Sequence, residues 1–240
     1  MDNSVTVGVH QPNFMPWLGY FYKIAQSDVF IFLDDAQYPK TTGTYLNNVN
    51  FLMNSTSTPL ILPIKKIKGR YWNINETTIA DGVKNKKKVI GKLQGNYAKA
   101  KYFREHKDFI FDLIEFPSEN LSEYNMHFIT NILAELNINT KIVKSSEFNL
   151  TSTSTQRLVD LIKLVGGHRY LSGKGGDNYQ DQKLYKDANI QLQYNQLPKF
   201  EYEQYRSKEF VGGLSIVDAI FNIGIKRLRE ELFIQKREEV

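Results

Sequence analysis

Between Val5 and Tyr38 the chain reads VTVGVHQPNFMPWLGYFYKIAQSDVFIFLDDAQY, and the two prolines in its middle decide most of what can form there. Each lacks an N–H and fixes φ, so Pro12 and Pro16 cannot lie inside a strand or helix, and HQPNFMP must be a rigid turn that opens a new element. Val5, Val7 and Val9 alternate before the turn as a strand, and Val29 to Leu33 is a continuous apolar run after it. The spacing predicts a helix over residues 17–26 between them. Two such strands, paired in parallel through a right-handed crossover, would bring His10, Asp34 and Asp35 to one edge of the sheet. Strand ends of open α/β sheets are where ligands bind. His10 is then a candidate base, because imidazole titrates closest to neutrality; the plainer reading is a hydrogen-bonded structural histidine. Asp34 and Asp35 can orient it, act as the base, or merely solvate a turn.

The remaining chain extends this pattern and adds to it. TPLILPIKK is an apolar strand whose prolines suit an edge or a bulge. Residues 83–136 read as wholly helical, in three helices near 83–100, 102–115 and 119–136, the last capped by Ser118 after Pro117. The first helix carries a dense lysine run around Lys86 that is either a solvated face or a phosphate-contacting surface. His106 and His127 have no partner spacing for a metal and read as structural or surface residues. Strand character returns at 141–144, followed by a capped helix with a glycine stop. A further strand then enters SGKGG, where Gly173, Gly175 and Gly176 would let backbone N–H groups approach an anion and Ser172 and Lys174 would add a hydroxyl and a charge. The spacing is neither that of a P-loop nor that of the dinucleotide fingerprint. Ile190, Leu192 and Tyr194 alternate as a last strand. Ser215 caps a final helix on which Asp218 and Asn222 share a face, as a buried hydrogen-bonded pair or as site residues. The fold class is α/β: a Rossmann-like, mostly parallel sheet built from 1–82 and 137–240, with an inserted all-helical subdomain at 83–136, in one compact unit.

Composition narrows the function classes. The 240 residues are 41% hydrophobic, enough for a sizeable core. Without a cysteine there is no disulfide, thiolate zinc site or cysteine nucleophile. A formal charge of +5 favours anionic partners. No apolar run has the length of a signal peptide or a membrane span, so a cytoplasmic location is expected. No resident metal is expected.

The run HQPNFMPWLGYFYKIAQSDVFIFLDDAQY resembles the N-terminal motif of the WbqC-like family, roughly HQPxxxPWxGYFxKI followed by Asp, an apolar strand and an acidic residue before Gln and an aromatic residue. The match covers His10, Gln11, Pro12, Pro16, Trp17, Gly19, Tyr20, Lys23, Ile24, Asp28, Asp34, Gln37 and Tyr38. In the next segment the family shows Asn-Arg before an apolar position; here Asn47, Asn48 and Phe51 stand there without the arginine, and Lys65 and Lys66 are the nearest substitutes. YLSGKGG with Tyr179 is similar to a second motif, and Leu214, Ser215, Ile216, Asp218, Asn222 and Gly224 to a third, so the resemblance runs from Val5 to Gly224. It implies a soluble bacterial protein of surface-polysaccharide (O-antigen) gene clusters that transfers glycine or a related aminoacyl group onto an amino sugar.

Such chemistry needs a base, oxyanion donors and a cradle for the diphosphate of a nucleotide sugar. His10, Asp34, Asp35 and Lys23 are the catalytic candidates, with Lys23 and Gly173–Gly176 also able to hold phosphate. Trp17, Tyr20 and Tyr179 offer flat faces for a base or sugar. Gln11, Gln37, Asn47, Ser172, Gly173, Lys174, Gly175, Ser215, Asp218 and Asn222 complete the substrate-binding candidates. No acyl-enzyme nucleophile is evident, which favours direct transfer from an activated amino acid to a nucleotide-linked amino sugar; an aminoacyl-tRNA donor would give the basic helix a role. The residues make no cofactor certain; ATP and Mg²⁺ are the two that they would accommodate, Mg²⁺ through Asp34 and Asp35. Two alternatives stand beside this reading. The layout is loosely similar to HxGH nucleotidyltransferases and adenylate-forming enzymes, with Ser152, Thr153, Ser154 and Arg157 echoing their phosphate motif but Tyr20 where the second histidine would be. A non-catalytic glycan- or nucleotide-binding protein would need no proton-transfer group.

Overall fold

The structure is a computed structural model that describes residues 4–39, 44–67, 69, 71–173 and 180–233. The chain divides into two compact units, one of Met1–Gln11, Gly19–Asp35 and Asn139–Pro198, the other of Pro12–Leu18, Ala36–Ile138 and Lys199–Val240. This differs from boundaries at 82/83 and 136/137. The helical block shares its unit with the β-rich segment before it and the C-terminal helix after it, because its apolar faces pack on both.

The first unit holds a five-stranded, wholly parallel sheet: β1 (Thr6–His10), β2 (Val29–Phe32), β7 (Lys141–Lys144), β8 (Arg169–Ser172) and β9 (Gln191–Tyr194), in the order β7-β2-β1-β8-β9. Helix α1 (Leu18–Ala25) links β1 to β2, α5 (Ser154–Leu164) links β7 to β8, and α6 (Gln182–Asp187) links β8 to β9. The chain winds outward from β1 to β2 and β7, then resumes on the other side at β8. The strand order therefore reverses between β1 and β8, and the α/β class read from the sequence holds. Alternation along β2 shows how both faces are covered. Val29 and Ile31 pack with Val159, Leu161, Ile162 and Tyr185, while Phe30 meets Phe32 and Tyr20 of α1. Gly8 is required in β1, since a Cβ there would lie 2.5 Å from Ser27 Oγ and 2.7 Å from the Phe30 ring. At the strands' entry, Asp28 closes the β1–β2 pair by accepting the Thr6 N–H at 2.7 Å.

The second unit begins with the proline turn, whose Phe14 N–H donates to the Tyr45 carbonyl at 2.8 Å. Strands β3 (Asn48–Met53) and β4 (Thr56–Ile61) form an antiparallel hairpin. Its loop residues Asn54 and Ser55 both have positive φ, the conformation that a tight hairpin demands. Pro59 costs little in a sheet with only two strands. The short strands β5 (Ile64–Lys65) and β6 (Thr78–Ile79) precede three helices, α2 (Gly82–Tyr97), α3 (Phe103–Glu115) and α4 (Leu121–Glu135), and α7 (Ile216–Leu228) comes last. The cap of α4 is Asn120 rather than Ser118: its side chain accepts the Glu123 N–H at 3.0 Å, while Ser118 Oγ donates to the Glu123 carboxylate at 2.6 Å. Asn125 of α4 is fully buried and clamps two loop carbonyls, those of Pro12 at 2.8 Å and Leu46 at 2.7 Å. Among the described residues, no helix is long and apolar enough to cross a membrane.

Candidate functional site

The carboxyl ends of the five strands define one edge of the first unit, and the strand-order reversal falls between β1 and β8, the position where open α/β sheets form a ligand crevice. His10 ends β1 there and Ser172 ends β8. The His10 ring is partly buried, and its Nδ1 lies 3.0 Å from the Gln11 carbonyl. A carbonyl only accepts, so Nδ1 carries the proton and Nε2 holds the lone pair. The same carbonyl accepts the Tyr20 hydroxyl at 2.8 Å, and the Tyr20 ring meets the imidazole edge-on at 5.0 Å. Both lone pairs of Gln11 O are thus engaged in holding the histidine and its neighbour. Among the described residues, His10 Nε2 has no hydrogen-bond partner.

Lys23 is the second member of this arrangement. Four residues after Gly19 on α1, it is 3% exposed, and its Nζ donates to the Val9 carbonyl at 2.8 Å, with the Tyr170 ring 5.9 Å away. No carboxylate pairs with it among the described residues, and burial alone lowers its pKa to about 7. Burial also lowers His10 to about 4, helped by the neighbouring Lys23 charge and opposed by the bond to Gln11. At neutral pH the imidazole is therefore uncharged and the amine lies near its midpoint. Perturbed groups of this kind, unpaired at a sheet edge, mark functional sites.

Asp34 and Asp35 reach the same edge but face other partners. Asp34, 4% exposed, accepts from Ser145 Oγ at 3.2 Å, Ser146 N at 3.0 Å and Ser146 Oγ at 2.7 Å. Asp35 accepts from Ser145 Oγ and binds Arg157 at 2.6 Å. These contacts tie the exits of β2 and β7 together, and no bond joins either carboxylate to His10. A divalent cation would have to displace those donors. Among the described residues no group of three His, Asp or Glu side chains is arranged to hold a metal. Arg157 also donates to the Leu150 and Ser152 carbonyls, and Ser152 Oγ to Asp160, so Ser152 and Arg157 of the phosphate-motif echo are occupied in holding a loop. Ser172 is buried and bonds to Gly173 O and Gln180, whereas Lys174, Gly175 and Tyr179 lie outside the described residues.

The other candidates fall in the second unit, Tyr20 excepted. Trp17 is 42% exposed and bridges to Ser215, while Tyr20 of the first unit is 3% exposed and offers no free face. Gln37 bridges to Asn73, and Asn47 accepts from Tyr38 and donates to Leu62 O, a hairpin-closing role. Asn48, at the position of the family's arginine, has a buried Oδ1 without a hydrogen-bond partner among the described residues. Ser215 caps α7 by accepting the Val217 N–H. Asp218 is completely buried and accepts from Tyr97 Oη, Tyr202 Oη and Gln204 Nε2, each at 2.8 Å. Burial raises its pKa against those bonds. Asn222 donates to Asp218 O and accepts the Tyr205 N–H, so this pair is a closed hydrogen-bond network. Sequence reasoning missed Ser145, Ser146 and Asn125, for which residue type carried no signal. It also placed Lys86 on a basic face, whereas its Nζ is directed to the Phe116 and Ser118 carbonyls over the Tyr124 ring.

Fold and edge together define an α/β protein whose candidate site is a neutral histidine and a buried lysine at the strand-order reversal. A profile of the WbqC-like protein family matches residues 11–230, and the chain belongs to that family. It is 31% identical over 224 residues to the uncharacterized protein Rv1507c of Mycobacterium tuberculosis, covering 91% of this chain and 94% of that protein. No solved structure gives a significant match.

Proposed function

We propose that the protein is an aminoacyl, specifically glycine, transferase that forms an amide on an amino sugar or nucleotide-linked amino sugar during surface-polysaccharide (O-antigen) synthesis in the cytoplasm. The observation that carries the reading is the His10–Lys23 pair: one imidazole lone pair kept neutral by burial, beside an amine whose pKa is about 7. The sugar amine attacks the carbonyl of an activated amino acid, forming the C–N bond, and the bond from that carbon to the leaving oxygen then breaks. The ammonium formed on attack must lose a proton. His10 Nε2 accepts an N–H of the amine and orients it, and Lys23 in its free-base form takes the proton at physiological pH. The developing oxyanion has to be met by hydrogen-bond donors at the same edge.

The test is a transfer assay on the full chain with nucleotide-linked amino sugars and glycyl donors, glycyl-tRNA and glycine plus ATP among them, with amide product read by mass spectrometry. Product formed by the wild type and lost in His10→Ala supports the proposal. Pyrophosphate or AMP release with ATP alone would replace it with adenylate chemistry. Ligand binding that survives His10→Ala, without any product, would replace it with a binding role.

A further inference from the structure

In the second unit lies a cavity of about 500 Å³ that the proposed chemistry does not use. Its size is that of a small-molecule site. Lys99, Lys101, Arg206 and Arg227 line it against a single lining carboxylate, Glu203. Arg227 is also tied to Glu231 at 2.7 Å.

Three backbone features shape its walls. Arg206 has φ +66°, a left-handed conformation that a non-glycine residue holds only where its surroundings impose it, and its carbonyl is fixed by Ser55 Oγ. Its guanidinium lies 5.1 Å from the Tyr205 ring centre. The Tyr205 N–H is in turn anchored on Asn222 Oδ1 at 2.7 Å, so α7 sets the position of the cationic turn. On the opposite side of the same helix turn, Gly224 breaks the helical conformation at φ +80°, and a Cβ there would lie 2.9 Å from the Tyr102 ring that lines the cavity. Tyr102 is held to α7 by its own N–H, which donates to Phe221 O. Asn222 thus fixes the Tyr205 wall, and the missing side chain at Gly224 leaves room for the Tyr102 wall. A polar, partly aromatic cavity with several cations and preorganised walls matches the chemistry of an oligophosphate, since guanidinium and ammonium groups bind phosphate oxygens by charge-assisted hydrogen bonds.

We infer that this cavity is a binding site for the oligophosphate of a small molecule of the nucleoside di- or triphosphate class. The inference is independent of the His10 reading. Isothermal titration of the full chain with inorganic pyrophosphate, and then with UDP and ATP, tests it. Wild-type binding that weakens at least tenfold in Arg206→Glu and in Lys101→Gln, and is unchanged in His10→Ala and in the exposed-helix control Lys88→Glu, is the expected result. Melting curves of each variant show whether the fold is kept, and where the charge reversal unfolds the protein, the milder Lys101→Gln decides. The inference is overturned by a wild type that binds none of the three probes, or by losses as large in Lys88→Glu, which would mean diffuse surface charge. It is equally overturned by affinity that is unaltered in a folded Lys101→Gln protein.

Discussion

Two buried polar centres in this chain look alike by residue type and differ in how their valences are filled. Around Asp218, three donors at 2.8 Å satisfy the carboxylate and the neighbouring Asn222 closes the circuit. Around His10, the carbonyl of Gln11 satisfies one ring nitrogen, while among the described residues the other has no partner and Lys23 has a carbonyl but no counter-ion. A closed network contributes to stability and specificity of the fold, and breaking it leaves unpaired groups in the interior. An open one costs stability and leaves a lone pair for a ligand. The contrast separates the two without any knowledge of the reaction, and it can be attacked from either side.

The largest effect belongs to Lys23. Its folded pKa is about 7 against an ordinary 10.5, so between those values the unfolded chain binds more protons and stability rises with pH. The full difference is on the order of 5 kcal/mol at about 1.4 kcal/mol per unit. Lys23→Met should abolish that rise, measured as urea unfolding at pH 6.5, 8 and 9.5; an unchanged slope would mean that the lysine is paired after all. In the wild type, transfer should increase as pH passes through about 7, with no loss from His10 protonation until about pH 4. Next comes His10→Ala, expected to lower transfer about a thousandfold by removing the acceptor that orients the attacking amine. Its melting temperature should change little, and equal damage to both would return His10 to the structural class. Asp218→Ala should do the reverse: about 3 kcal/mol of stability lost, with transfer per folded molecule retained. The smallest is Gly224→Ala, about 2 kcal/mol from the combined φ and Tyr102 clash, read by thermal unfolding.

The first crossover was legible because its signals are local. Two prolines forbid continuation, and alternating valines and a four-residue apolar strand state their own period, so β1, α1 and β2 fall within a residue or two of expectation. The partners of Asp34 and Asp35 were not legible. Ser145, Ser146 and Arg157 lie more than 100 residues away and reach the carboxylates only because β7 pairs with β2, and a serine pair in sequence announces nothing. The misplaced α4 cap has another cause. Ser118 and Asn120 are both good capping types two residues apart; Asn120 accepts the Glu123 N–H, while Ser118 Oγ is taken up by the Glu123 carboxylate. For Lys23 and Lys86 the type itself misleads, since lysine usually reads as surface, and only tertiary packing shows each amine directed at interior carbonyls.

The division of the chain carries a consequence for its synthesis. The parallel sheet takes its first two strands from residues before 36 and its last three from residues after 138, while the other unit begins at residue 12 and is completed only by α7. Neither can therefore finish on the ribosome before β9 (Gln191–Tyr194), for the one, and α7 (Ile216–Leu228), for the other, have emerged. The Val29–Phe32 strand, apolar on both faces, must wait for more than 100 residues to be made before β7 can cover its flank. For that interval the nascent chain exposes an unpaired sheet edge beside the very histidine on which its proposed chemistry depends, and halves expressed separately would each lack segments that complete a unit.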